Sequence, residues 1–138
     1  MKYKYIGCFF DLEESRALRR LSRFRGLKKR IKCLHVTIEY DPEEVNTDLF
    51  GEEIEVRVIG YGNNRRNEGL LVEARSNNPV IQAMLDRIEV QHITLSRALT
   101  AESVDTKHLK FREIKPLTVK GRFGGFSEEI GPIVGINK

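Results

Sequence analysis

Two short segments hold the side chains best able to do chemistry: Leu34-His35-Val36-Thr37-Ile38 and Gln91-His92-Ile93-Thr94-Leu95. On an extended chain, residues two apart share a face. His35 and Thr37 therefore point one way while Val36 and Ile38 point the other, and His92 and Thr94 stand likewise against Ile93 and Leu95. Each strand would offer one imidazole and one hydroxyl to an open surface and its apolar residues to a core. The chain has three histidines, and only six of its 138 residues are threonine. Two histidines with threonine at the same offset are thus an uncommon coincidence. The plain alternative is two structural histidines on two ordinary strands.

The chemistry that wants this arrangement is in-line displacement at phosphorus. An imidazole with an ordinary pKa of about 6.5 is populated in both protonation states near neutrality. One ring can take a proton from water or a ribose hydroxyl while the other protonates the departing oxygen. Threonine hydroxyls can donate to the non-bridging oxygens, whose charge grows in the transition state. No metal or other cofactor is needed, and zinc is disfavoured because a third ligand at diagnostic spacing is missing. His108, in a polar stretch without a following threonine, reads as a surface residue.

The elements that must position these groups follow from periodicity. Tyr3 to Phe10 reads as a strand, and Leu12, Leu18, Leu21 and Phe24 recur at helical spacing, so the pattern predicts a helix over 12–26. Asp11 would cap it and Gly26 stop it. Cys33 to Tyr40 is a strand that ends at Asp41-Pro42. Glu53 to Tyr61 alternates, Gly60 to Asn67 is a turn, and Glu68 to Ala74 returns as a hairpin partner. Asn78 and Pro79 open a second helix over 79–89, followed by a strand from Gln91 to Arg97. The tail supplies three further strands, Leu109 to Ile114, Leu117 to Phe123 and Pro132 to Ile136. Helix, brief connection and His-x-Thr strand thus occur twice in the same order. That order predicts an α+β fold: two antiparallel sheet halves related by an approximate twofold axis, forming two lobes around a central cleft with helices outside. With no low-complexity linker, one domain over 1–138 is expected.

Composition narrows the class. The longest apolar runs are far shorter than the roughly 20 residues of a bilayer span, so no membrane partner is expected. The first residues lack a secretory cleavage pattern, and Cys8 and Cys33 in apolar strands suit free thiols, which together point to a cytoplasmic protein. Nine basic residues lie between Arg16 and Lys32 with no acidic residue among them. Such a stripe is the footprint of a phosphate-bearing partner or a solvated helix face. Gly60-Tyr61-Gly62-Asn63-Asn64 is a hairpin turn lacking the Lys-Ser/Thr of a phosphate loop. Gly121-Arg122-Phe123-Gly124-Gly125-Phe126 is a turn or flap. Phe123, Phe126, Tyr40 and Tyr61 are candidates to stack on a base, and Arg97, on the same strand as His92 but off its face, is a further candidate contact.

His35-Val36-Thr37-Ile38 and His92-Ile93-Thr94-Leu95-Ser96-Arg97 resemble the paired H-x-T/S-hydrophobic motifs of the 2H phosphoesterase superfamily, which includes RNA ligase T-like 2′,3′-cyclic phosphodiesterases. The resemblance lives in those two motifs, which stand 57 residues apart; the glycine-rich tail matches no family motif. It implies a catalytic quartet of His35, Thr37, His92 and Thr94 acting on a 2′,3′-cyclic phosphate at an RNA end or in a small nucleotide. It leaves open a relative that cuts cyclic oligonucleotide signals. From a different class, the basic stripe alone would serve a non-catalytic RNA-binding module.

Overall fold

The structure, a computed structural model, describes residues 2–23 and 29–135, with Lys29 described in its backbone alone. Strand β1 (Tyr5–Phe9) leads into helix α1 (Leu12–Arg19), followed by the two-residue β2 (Lys29–Arg30) and by β3 (His35–Tyr40). The long hairpin of β4 (Glu53–Asn63) and β5 (Asn67–Arg75) precedes helix α2 (Pro79–Asp86) and β6 (His92–Arg97). Strands β7 (Arg112–Ser127) and β8 (Gly131–Ile133) complete the described chain.

The expected caps are present. The Asp11 carboxylate accepts from the Glu14 N–H at 2.9 Å, and Asn78 accepts from Val80 and Ile81 at 2.9 and 3.2 Å. Helix α1 is shorter than its apolar spacing predicts. After Arg19 the backbone tightens into bonds from Leu21 to Leu18 and from Ser22 to Arg19. Ser22 Oγ and the Arg23 N–H then donate to the carboxylate of Glu68, each at 2.8 Å, so a tertiary bond draws the chain off the helix axis. The Gly26 stop lies outside the described residues.

The expected two-lobed α+β fold is not what forms. Six strands close into an antiparallel barrel in the order β1-β3-β6-β5-β4-β7, with β7 returning to β1. Strand β8 extends from β7, and β2 pairs with β6. The fold is mostly β, with few and short helices. The physical reason lies in β7. The sequence pattern breaks at Pro116, which has no N–H to give a ladder. The structure accommodates that proline opposite a register shift between Val58 and Gly60 and continues as one 16-residue strand. Its first part pairs with β4 and its last part with β1, which joins what would otherwise be two separate sheet edges.

One face of the strand wall is the core. Val36, Ile93, Leu70, Val56, Val58 and Ile54 are fully buried there, joined by Leu18 from α1 and by Ile81 and Leu85 from α2. Phe123 belongs to this core and is only 1% exposed, its ring edge-on to Phe50 at 5.8 Å. The expectation that Phe123 stands at a cleft edge is therefore corrected: as the partner of Cys8 in the β1–β7 ladder, it turns inward. Cys8 is a buried free thiol and Cys33 a half-buried one. Among the described residues no helix is long and apolar enough to cross a membrane.

Gly69 lets the Ser103–His108 turn lie directly on β5. A Cβ at Gly69 would sit 2.2 Å from Thr106 Cγ2 and 2.7 Å from the Ile93 carbonyl oxygen. Gly69→Ala should therefore cost about 1–3 kcal/mol of stability, as overpacking does. In urea melts this appears as a lower midpoint at unchanged slope. An unchanged midpoint would show that the turn does not pack there.

Candidate functional site

The two His-x-Thr segments meet on neighbouring strands. Val36 lies opposite Ile93 in the antiparallel β3–β6 pair. By the same antiparallel count His35 falls opposite Thr94, and Thr37 opposite His92, all four on the face turned away from the core. Opposed positions in such a pair have Cβ atoms about 4.5–5.5 Å apart, and diagonal neighbours lie about 7–8 Å apart. The imidazoles thus occupy one diagonal of a small rectangle and the threonines the other.

Both imidazoles are held in the same way. His35 Nδ1 lies 2.9 Å from the Cys33 carbonyl oxygen, and His92 Nδ1 lies 3.0 Å from that of Val90. Each carbonyl belongs to the residue two places earlier, and a carbonyl only accepts, so Nδ1 carries the proton and donates. In the neutral ring, Nε2 then keeps its lone pair. The repeat seen in the letters is thus matched by a repeat in local geometry.

The surroundings differ. His35 is stacked on Tyr5 at 4.6 Å between ring centroids, with Phe9 at 5.9 Å. The Tyr5 hydroxyl lies 3.4 Å from His35 Nδ1, and burial raises the phenol's pKa, which keeps it protonated. Burial pushes the His35 pKa down to about 4, against the pull of the Cys33 carbonyl and with added repulsion from nearby His92. The pKa of His92 is also lowered, by burial first, opposed by the Val90 and Ser103 carbonyls and assisted by the Lys107 ammonium. Both rings are therefore neutral at pH 7.

The threonines are not equivalent either. Thr37 is half-buried. Thr94 is buried, donates to the Ser103 carbonyl at 2.9 Å and lies 2.7 Å from Thr106 Oγ1. With its one hydrogen committed to Ser103, Thr94 accepts from Thr106, which in turn accepts from Asn67 Nδ2 at 3.1 Å. The Ser103–His108 turn is thus bonded onto the quartet from the side of β6.

The other expected residues separate into two groups. Tyr40 and Phe126 flank Tyr5: Tyr40 is exposed and edge-on to it at 5.8 Å, and Phe126 is stacked on it at 5.0 Å. They share an aromatic cluster with His35. Tyr61 and Arg97 lie elsewhere. Tyr61 is buried, with its hydroxyl on Glu68, and Arg97 donates to the Ala101 carbonyl at 2.8 Å, which pins the turn after β6. His108 is exposed, as expected. Five neighbours of the quartet were not foreseen: Tyr5, Phe9, Ser103, Thr106 and Lys107. Tyr5 and Phe9 alternate with Ile6 and Cys8, so their shared face was legible, whereas nothing local marks Ser103 or Lys107.

Charge and polarity complete the surroundings. Of the basic stripe, Arg16, Arg20, Arg23, Arg30 and Lys32 are exposed, while Arg19 donates to the carbonyls of Ile31 and Lys32. Arg25, Lys28 and the Lys29 side chain lie outside the described residues. Strand β2 sets the stripe beside β6, with Lys29 opposite Arg97 and Arg30 opposite Ser96. Among the described residues no cluster of three or more His, Cys, Asp or Glu side chains could hold a metal ion. Compared with known family models and with curated proteins, the chain matches none.

Two outcomes follow for pH. Because folding depresses the His35 pKa, stability is fully present above about pH 6.5, the unfolded value, and is lost as pH falls toward about 4. An imidazole NMR titration should place the His35 midpoint near 4 and that of His92 below its ordinary value. Lys107→Met should raise the His92 midpoint and leave that of His35 in place. A His92 midpoint unmoved by the substitution would put Lys107 too far away to matter.

Proposed function

We propose that the chain is a metal-independent phosphodiesterase that hydrolyses a cyclic phosphate ester of the 2′,3′-type, at an RNA end or in a small nucleotide. The observation that carries this reading is the opposed pair of His-x-Thr segments, each imidazole anchored through Nδ1 by the carbonyl two places earlier, and Nε2 is the nitrogen this mechanism uses. Two such nitrogens across one strand pair can address a single phosphorus from opposite sides.

In this mechanism neutral His35 takes a proton from water through Nε2 as the water oxygen bonds to phosphorus. The bond from phosphorus to the ribose oxygen breaks, and His92 gives that oxygen its proton through Nε2. His35 ends protonated and His92 neutral, and exchange with solvent resets both. His35 serves as the base because its lowered pKa leaves the ring neutral, with the Nε2 lone pair present, at pH 7. Burial and Lys107 leave His92 neutral at pH 7, so in this mechanism it takes up the proton it later gives as the phosphate anion arrives, an anion that together with the Ser103 carbonyl favours the imidazolium. Thr37 donates to a non-bridging oxygen, and Lys107 offsets the charge that grows there. Tyr40 and Phe126 are placed for the nucleobase. The likeness to 2H phosphoesterases that supports this reading lies in the motifs and not in the barrel that carries them.

The test is turnover in the presence of EDTA on cyclic mononucleotides, RNA with a 2′,3′-cyclic end, and cyclic oligonucleotides. His35→Ala and His92→Ala should each lower the rate by about 10²- to 10⁴-fold while the chain stays folded. Full activity in both variants would refute the mechanism. Salt-sensitive RNA binding without cleavage of any substrate would identify a binding module working through the exposed Arg16 to Lys32 stripe.

A further inference from the structure

A concavity lies apart from the His-x-Thr quartet. Among the described residues it is walled by Arg23, Tyr61, Asn63, Lys110 and Arg112, and it encloses about 480 Å³. Its three cations come from three places: the chain leaving α1, the approach to β7, and the start of β7 itself. Arg112 lies opposite Tyr61, and Tyr61 opposite Leu70, a core position. The wall is therefore continuous with the core-side face of the barrel, whereas the quartet occupies the other face.

The site is built from beneath. Glu68 is fully buried and accepts from Ser22 Oγ, Ser96 Oγ, the Tyr61 hydroxyl and the Arg23 N–H. The Arg23 N–H also lies 3.3 Å from the Tyr61 hydroxyl, and Asn63 Nδ2 donates to that hydroxyl at 3.1 Å. The carboxylate thus fixes Arg23, Tyr61 and Asn63 in one network and sits behind the wall. No described lining residue is acidic. The ion pairs among the described residues are Lys4–Glu128, Arg57–Glu73 and Lys120–Glu53, which use none of the three cations. Like charges gathered around a hollow repel unless an anion lies between them. The volume falls within the range of about 300–1,000 Å³ typical of small-ligand sites, and arginine forks match phosphate oxygens bidentately. From these observations we infer that this pocket binds the phosphate of a nucleotide-sized phosphate ester, a ligand distinct from the ester at His35 and His92.

The test is isothermal titration of the whole chain at low salt with a linear 5′-mononucleotide and, separately, with a short single-stranded RNA lacking a cyclic end. Neither probe depends on the His35–His92 chemistry, so the result stands whether or not the proposed activity does. The double variant Lys110→Ala/Arg112→Ala should weaken binding at least tenfold, and Arg112→Lys should weaken it less than Arg112→Ala. The control Lys4→Ala/Lys120→Ala removes the same charge elsewhere and should change binding less than twofold. Binding of the mononucleotide assigns the pocket to free nucleotides, and binding of the RNA alone assigns it to an internal phosphate. Equal losses in the pocket and control variants, or binding of neither probe, would overturn the inference.

Discussion

The candidate active site depends on one cross-strand contact, Val36 against Ile93, in the core-side face of β3 and β6. Both side chains are fully buried, so sliding either strand by one residue would drive its apolar set to the opposite face. The register that buries these two residues is the register that opposes His35 to Thr94 and Thr37 to His92. Hydrophobic burial thus sets the geometry of the polar face without any polar group having to specify it. The carbonyls of Cys33 and Val90 then fix each ring's tautomer, with the proton on Nδ1.

The symmetry of that arrangement ends one layer out. His35 is walled by aromatic rings from β1, whereas His92 is met by the Ser103–His108 turn, whose backbone and lysine act on its proton in opposite senses. Burial holds both rings toward the neutral form, but the neighbouring charge differs: His92 acts on His35, and Lys107 on His92. The turn also takes up Thr94, so the two hydroxyls differ in what they have left to donate. On the other face of the barrel, Glu68 anchors polar and basic groups much as the core anchors the quartet: a buried acceptor decides where Arg23 and Tyr61 stand.

Much of this was legible in the residues. The alternation in Glu53 to Tyr61, the Asn78-Pro79 helix start and the two His-x-Thr strands all correspond to observed elements, because each is written in a local period or cap. The shared face of each His-x-Thr pair followed from the strand period, whereas the repeated order pointed to two lobes and the two strands are instead neighbours in one barrel. What escaped was non-local. Pro116 reads as an end to a strand and is instead carried through at a register shift, and with that continuity the barrel closes. Glu68 looks like an ordinary polar position at a hairpin, since only tertiary contacts reveal that it is buried. Phe123 sits among glycines that suggest a flap, yet its place in the β7 ladder turns it into the core. Arg97 belongs to a strand of the site and spends its guanidinium on the following turn.

The central claim is that His35 and His92 share one phosphorus, and histidine nitrogen NMR during titration with a slowly hydrolysed 2′,3′-cyclic phosphorothioate mononucleotide tests it most directly. The account predicts that both Nε2 resonances move together along one binding curve while both Nδ1 protons stay in place. Movement of a single ring, or of neither ring while the analogue binds, would contradict it.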